Sequence, residues 1–253
     1  MVNASPPLVS SFVGLALLLA AAFVFAVHRV TAQPRGSTGG AMRPTALAAL
    51  AAAAWLAVTY GLAASGFLSF STRPPTMLVI VGGVVAISIA VGTSQLGRRL
   101  ATGIPLAILV GVQGFRILLE VMMHRAYVEG LMPVQMSFSG FNFDILTGIS
   151  ATVVALVLAF RPGSLLLVRI WNTAGVVLLV NILVIAVVSA PTPIRLFHNE
   201  PANEWIAHAP WVWLPAVYVL AAVLGHILVF RRLRMEASVT APAPARHAVP
   251  TVR

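Results

Sequence analysis

Three ionisable residues recur every four positions in an otherwise apolar stretch: Arg116, Glu120 and His124. Each step of four residues turns an α-helix by about 400°, so the three side chains share one helical face and extend over about 12 Å. Charged side chains inside a membrane are costly and are functional candidates by default. Here Glu120 could carry a proton or bind a metal, and Arg116 could clamp an anion. The alternative is an Arg116–Glu120 pair that serves packing alone, with His124 ending the helix.

Most other acid and base groups are predicted on the same side as this stripe. Five of the six acids are Glu120, Glu129, Asp144, Glu200 and Glu204, and His198 and His208 accompany them. The loops 124–144 and 189–210 supply these groups. We therefore predict a pocket for a small polar ligand, a lipid headgroup or an ion, formed by Arg116, Glu120, His124, Asn142, Asp144, Arg195, Asn199, Glu200 and Asn203.

Both loops also have purely structural interpretations. Asp144 precedes an apolar segment and suits the N-cap of a helix. The residues from Asn199 to Ile206 resemble the start of a short interfacial helix, with Glu200 and Glu204 near its positive end and Trp205 and Ile206 against the bilayer. Under these interpretations the acids only stabilise helix ends.

A divalent metal such as zinc needs three or four converging ligands. Glu120 and His124 supply two from one helical face, and Asp144, His198, Glu200 or His208 could complete the set. No His-Glu-x-x-His motif is present. A metal-assisted hydrolase is thus an alternative use of the same residues, and a proton-coupled transporter with Glu120 titrating is another.

The composition places these residues in a membrane protein. Hydrophobic residues make up 59% of the chain and charged residues 9%, with a mean hydropathy of +0.96, whereas soluble domains carry roughly a quarter charged residues. The partner is therefore the lipid bilayer. A net charge of +10 does not indicate a nucleic-acid partner, because the arginines lie between apolar runs and in the tail.

Seven apolar segments approach the roughly 20 residues that cross a bilayer. They predict an all-α bundle of seven transmembrane helices at about residues 8–27, 46–70, 77–96, 104–123, 145–160, 165–188 and 211–230. We predict a disordered tail at 235–253. Trp205, Trp211 and Trp213 fall where interfacial aromatics are expected.

The arginines orient the predicted bundle, since short cytoplasmic loops are rich in positive charge. With the N-terminus outside and the C-terminus in the cytoplasm, only three lie in external loops: Arg73, Arg125 and Arg195. Twelve lie on the cytoplasmic side: Arg29, Arg35, Arg43, Arg98, Arg99, Arg161, Arg169, Arg231, Arg232, Arg234, Arg246 and Arg253. The absence of lysine suggests a GC-rich bacterial genome, and hence a bacterial inner membrane.

Two stretches resemble an uncharacterised group of bacterial seven-helix membrane proteins, over about the C-terminal half of the chain. The matching residues are Phe115-Arg116, Glu120, His124, Pro133, Gln135-Met136, Asn142-Phe143-Asp144-Ile145-Leu146, Gly148, Pro191-Thr192-Pro193, Arg195, Asn199-Glu200-Pro201-Ala202-Asn203 and Trp213-Leu214-Pro215. The resemblance implies a class of membrane protein and no particular activity.

Overall fold

The computed structural model describes residues 4–32 and 39–240, and every regular element in these ranges is helical. The α-helices are α1 (Pro6–Ala32), α2 (Gly39–Ala64), α3 (Thr76–Thr93), α4 (Gln95–Gly103), α5 (Leu106–Gly111), α6 (Phe115–Val128), α7 (Ile145–Phe160), α8 (Leu165–Val188) and α9 (Leu220–Thr240). Short 3₁₀ turns occupy Val112–Gly114, Val134–Met136 and Trp205–Ala207, and a π-helical turn occupies Leu214–Val219. The all-α prediction is confirmed.

Six helical segments are long and apolar enough to cross a membrane, which identifies an integral membrane protein. They are Pro6–Ala32, Met42–Ala64, Thr76–Thr93, Leu106–Val128, Leu165–Val188 and Leu214–Ser238. Helix α7 is also apolar but has only 16 residues, about 24 Å at 1.5 Å per residue. The bounds predicted for the fifth and sixth segments coincide with α7 and α8.

The second and third segments end earlier than predicted. Helix α2 stops at Ala64 rather than continuing to residue 70, and Gly66 follows with φ of +73°, the left-handed conformation that commonly ends helices. Helix α3 stops at Thr93, because Ser94 begins α4 by accepting a hydrogen bond from the Gly97 amide at 3.2 Å. The fourth segment is longer than predicted and reaches Val128.

The last segment differs at both of its ends. It starts as the π-helical turn around Pro215, a residue with no amide hydrogen to donate. Helix α9 then runs to Thr240, and Arg232 pairs with Glu236 one turn later at 2.6 Å. Residues 235–240, which we predicted to be disordered, are therefore helical, and 241–253 lie outside the described residues.

Helix α9 connects the other helices of the bundle. It packs against α3, α4, α5 and α8, while α7 packs against α5, α6 and α8, and α1 packs against α2, α4 and α6. Near the last turns of α9, Arg231 donates to the carbonyls of Gly92 and Ser94, both at 2.7 Å, and Arg232 donates to the Thr102 carbonyl at 2.9 Å. This end is called the arginine end.

The opposite end is covered by two long connections, residues 129–144 and 189–213, which together are called the cap. Both connections bury large apolar side chains, among them Met132, Met136 and Val212. Gln135 joins them, since its Nε2 donates to Ser189 Oγ at 2.9 Å. Because buried loops must find hydrogen-bond partners within the protein, such bonds fix the cap on the bundle.

The cap tryptophans are not interfacial, contrary to the prediction. Trp205, Trp211 and Trp213 are 6–7% exposed, and the rings of Trp205 and Trp211 pack around Phe12 of α1. Ile206, expected against the bilayer, is also buried. The predicted interfacial helix is a single 3₁₀ turn directed into the core.

The start of α1 is fastened to the cap by Ser5. Its amide and hydroxyl donate to the two carboxylate oxygens of Glu129 at 2.8 and 2.5 Å. Arg125 also pairs with Glu129 at 2.6 Å. These contacts, those from Ser5 foremost, hold the pKa of Glu129 below its ordinary value.

Candidate functional site

The polar stripe of the fourth segment faces the interior of the bundle. Arg116 and Glu120 are each 1% exposed, and Gln113, one turn earlier, is fully buried. These residues follow one another at spacings of three and four, so a single helical face carries them. The apolar residues Leu118 and Val121 are more than half exposed on the opposite face. Arg116 and Glu120 are thus buried within the protein, as membrane helices require of charged groups.

Arg116 forms its ion pair with Asp144 and not with Glu120. Arg116 Nη1 donates to Asp144 Oδ1 at 2.7 Å, and the side chains are 1% and 6% exposed. Asp144 stands at the N-cap of α7, as predicted, but its carboxylate makes no capping hydrogen bond to the helix backbone. It accepts from the Thr147 hydroxyl at 3.1 Å instead. The buried guanidinium therefore determines the role of Asp144.

Glu120 is held by Asn142, which the cap folds back into the bundle. Asn142 Nδ2 donates to Glu120 Oε2 at 2.7 Å and to the Met136 carbonyl at 2.9 Å. Its Oδ1 accepts from the Asp144 amide at 3.0 Å. Asn142 thus joins the two carboxylate-bearing residues, and the buried group comprises Arg116, Glu120, Asn142 and Asp144.

His124 lies one turn beyond this group and is directed toward the cap. Its Nδ1 is 3.3 Å from Ser139 Oγ and 3.5 Å from Ser137 Oγ. The imidazole stacks on Phe138 with ring centroids 4.3 Å apart. His124 is only half-buried, its polar contacts are with the first connection, and its ring lies 5.9 Å from that of Tyr127 on the same helix.

The remaining predicted residues belong to the second connection, and some lie at the surface while others lie in the interior. Arg195 and Glu200 pair at 3.1 Å, with Glu200 71% exposed. Bonds from Arg195 and from the Ala202 amide lower the pKa of Glu200. Asn199 donates to Gln135 Oε1 at 2.9 Å, which strengthens the cap. Only Asn203 is fully buried, and its Nδ2 donates to the Ala186 carbonyl at 2.9 Å.

The six residues considered as metal ligands, among them the exposed Glu200, are spread over the cap end. Glu120 and Asp144 are buried with the group described above, His124 faces the first connection, and His198 and His208 lie exposed and half-buried in the second. Within residues 4–32 and 39–240, no three His, Asp or Glu side chains converge as metal ligands would.

A cavity lies beneath the cap, between α3, α6, α8 and the π-helical turn. Its volume is about 70 Å³. The lining is apolar apart from the side chains of Arg116, Glu120, Asp144 and Asn203, and the hydroxyl of Tyr218. The apolar lining is Phe70, Leu78, Val81, Phe115, Leu119, Met123, Met136, Leu179, Ile182, Leu183, Ala186, Val187, Ile206, Leu214, Pro215, Val219 and Ala222.

Several polar atoms at the cavity have no protein partner. Arg116 uses only Nη1, so its Nε and Nη2 are buried without a hydrogen-bond acceptor, and Asn203 Oδ1 is buried without a donor. The Tyr218 hydroxyl is engaged, because it donates to the Phe12 carbonyl. Residues with unpartnered donors and with an unpartnered acceptor therefore line the same cavity.

Some residues of the site were not singled out by sequence reasoning. Gln113 is one of them, although its position three residues before Arg116 places it on the same helical face. Thr147 was also not singled out, although it lies three residues after Asp144. Gln135 was noted only as part of the resemblance, and its bond to Ser189 could not be predicted, because a hydrogen bond between residues 54 positions apart has no local pattern.

The apolar helices and the buried charged group define an integral membrane protein with an ionisable site inside a helical bundle. The chain belongs to the family described as "Domain of unknown function (DUF8737)", whose model matches residues 74–234. No curated protein and no solved structure matches the chain. The resemblance to an uncharacterised group is thereby confirmed, and the match includes every residue of the buried group while α1 and α2 precede it.

Proposed function

We propose that this protein is a seven-helix membrane protein, with its N-terminus outside the cytoplasm of a bacterial cell, that binds a small uncharged amphiphile beneath the cap. One observation carries the binding proposal: Arg116 is 1% exposed, lines a largely apolar cavity, and leaves Nε and Nη2 of its guanidinium without acceptors. Buried donors without partners are costly, and a ligand acceptor would remove that cost.

The charges around the cavity favour an uncharged polar head. Arg116 is already paired with Asp144, and Glu120 adds a second carboxylate close by. An anionic head would be repelled by both carboxylates, and a cationic head would be repelled by the guanidinium. A hydroxyl or amide can accept from Arg116 and donate to Asn203 Oδ1, which satisfies both.

The rest of the cavity favours an apolar tail. Its lining residues on α3 and α8, such as Val81, Leu183 and Val187, are partly exposed to the surroundings of the bundle. A tail could therefore reach the cavity from the bilayer between these two helices. Metal-assisted hydrolysis has less support, because Glu120 and Asp144 already accept hydrogen bonds from Asn142, Arg116 and Thr147.

The seven-helix topology is testable because the sequence contains no cysteine. We expect Ser71→Cys and Ser139→Cys to react with a membrane-impermeant maleimide in intact spheroplasts. Thr102→Cys and Gly163→Cys should react only after permeabilisation, since they lie at the arginine end. All four residues are exposed. The cysteine-free parent measures background, and labelling of positions 139 and 163 from the same side would show that α7 does not cross.

The binding proposal is tested with three radiolabelled probes that share a dodecyl chain, offered to the protein in lipid nanodiscs. We expect monododecanoylglycerol, with its hydroxyl head, to bind about tenfold or more tightly than dodecanoate or dodecyltrimethylammonium, the factor expected for one hydrogen bond to a charged group. Equal binding of the three probes would contradict the proposal.

A matched pair of variants locates the binding. Leu183→Trp fills the cavity and should abolish the binding of monododecanoylglycerol. The neighbouring Val184 is 53% exposed and does not line the cavity, so Val184→Trp should leave binding unchanged. Undiminished binding to Leu183→Trp would place the probe elsewhere.

A further inference from the structure

A second set of buried polar side chains lies deeper in the bundle. Gln113 and Asn172 are fully buried and His226 is 2% exposed. Neither Nε2 nor Oε1 of Gln113 has a hydrogen-bond partner, and neither does His226 Nε2. Most buried polar groups are paired with protein or with ordered water. Three unpartnered atoms on two neighbouring side chains therefore require an explanation.

Glycines bring these side chains together. A Cβ on Gly225 would lie 1.7 Å from Gln113 Nε2, and a Cβ on Gly175 would lie 2.6 Å from His226 Cε1 and 3.0 Å from Thr147 Cγ2. Gln113 thus packs on the residue that precedes His226, and the imidazole packs beside Thr147. The set is adjacent to the buried ion pair, because the Thr147 hydroxyl donates to Asp144.

The hydrogen bonds of Asn172 determine which imidazole nitrogen of His226 carries the hydrogen. Asn172 Nδ2 donates to the His226 carbonyl at 3.1 Å, so its Oδ1 is the atom 2.8 Å from His226 Nδ1. An amide oxygen only accepts, and Nδ1 must therefore donate. In the neutral imidazole, Nε2 is then an acceptor with a free lone pair.

We propose that Gln113, Arg116 and His226 enclose a site for bound water beside the cavity beneath the cap, with Arg116 common to both. The free donors are Arg116 Nε and Nη2 and Gln113 Nε2, and the free acceptors are Gln113 Oε1 and His226 Nε2. A buried water typically makes two to four hydrogen bonds of both kinds. A cation is less suited to this site than water because it would face the guanidinium. An anion is less suited because it would face two acceptor atoms.

The water site has a consequence for His226. Arg116 borders both the cavity and this site, so bound water would connect the imidazole with Glu120 and Asp144 by hydrogen bonds. His226 Nε2 would then be hydrogen-bonded to water even though its side chain is buried. The water and the ligand proposed above share the unpartnered Arg116 nitrogens, and both tests below use protein without added ligand.

The first test is NMR of protein labelled with ¹⁵N in its histidine rings, in nanodiscs. The His226 resonances are those missing from His226→Gln. We expect a protonated Nδ1 and an unprotonated Nε2 that correlates with water protons. A visible His226 ring whose Nε2 shows no correlation with water would overturn the proposal, as would the opposite tautomer.

The second test is the thermal midpoint of Gln113→Leu. In a dry site this change removes two unpaired polar atoms and raises the midpoint. In a hydrated site the leucine displaces water and leaves Arg116 and His226 without partners, so we expect a lower midpoint. Val112→Leu, at a 45% exposed neighbouring position, should have no effect. An unchanged or higher midpoint for Gln113→Leu would exclude the water site.

Discussion

Replacement of Asp144 by alanine is expected to destabilise the protein by about 3–5 kcal/mol, the usual cost of leaving one member of a buried ion pair alone. The guanidinium of Arg116 would remain in the bundle with only Glu120 as a nearby carboxylate, and Glu120 is bonded to Asn142. The Thr147 hydroxyl would also lose its acceptor. Both effects act at the same place, so this position should be among the most sensitive in the chain.

The loss can be measured as the free energy of unfolding in mixed micelles, followed by tryptophan fluorescence. Asp144→Asn keeps an acceptor for Thr147 but removes the charge, so it should be less destabilising than Asp144→Ala. Glu200→Ala is the matched control, because Glu200 forms an ion pair at the surface, where such pairs contribute little.

The double variant Arg116→Met with Asp144→Leu separates charge from packing. Replacing both members of a buried pair by apolar residues is often neutral or stabilising, so the double variant should recover most of the stability lost in Asp144→Ala. A cost below about 1 kcal/mol for Asp144→Ala, the range of exposed pairs, would mean that Arg116 is not enclosed as the structure places it.

The helices that sequence predicted well have strong local boundaries. Helix α7 ends before Arg161-Pro162-Gly163, and α8 ends before Ser189-Ala190-Pro191. The buried stripe was predictable for a similar reason, since a helix places residues four apart on one face. Local patterns thus determined which helical face is polar and where two of the helices stop.

The partners of the stripe could not be predicted from spacing. A distance of four residues makes an Arg116–Glu120 pair reasonable, but Asp144 comes from 28 positions away and takes the guanidinium. Asn142, and not Arg116, donates the hydrogen bond to Glu120. These choices depend on how residues 129–144 fold back into the bundle, which is set by non-local contacts such as those of Gln135 with Ser189 and Asn199.

Tryptophans near the end of an apolar segment are also ambiguous in sequence. A membrane interface and a buried cap can each provide apolar contacts for the large ring and a hydrogen-bond partner for its one polar atom. In this protein Trp213 Nε1 donates to the Leu56 carbonyl of α2 at 3.3 Å, and Trp205 and Trp211 pack on Phe12 of α1. Packing of α1 and α2 against the cap, which composition does not encode, decides between the two.

Gly140→Ala is expected to open the first connection of the cap. A Cβ at this position would lie 2.4 Å from the Val134 carbonyl oxygen and 2.6 Å from Gln135 Cα. Both contacts are with backbone, so no side-chain rotation can relieve them. Because the Asn142 amide donates to the Ser137 carbonyl across the same turn, a displaced backbone should draw Asn142 away from Glu120.

Hydrogen exchange measured by mass spectrometry would detect this change directly. In Gly140→Ala, amides of residues 134–144 should exchange markedly faster, and the protein should lose at least the roughly 1–3 kcal/mol that follows when a buried polar group loses its partner. Gly163→Ala is the control, since nothing lies within 4 Å of its added Cβ, and its exchange and stability should match the parent. If Gly140→Ala keeps the parent's exchange, the turn has room for a methyl group and Asn142 does not depend on it. If exchange rises while probe binding persists, the cavity forms without the first connection, and Arg116 with the lining of α3 and α8 suffices for recognition.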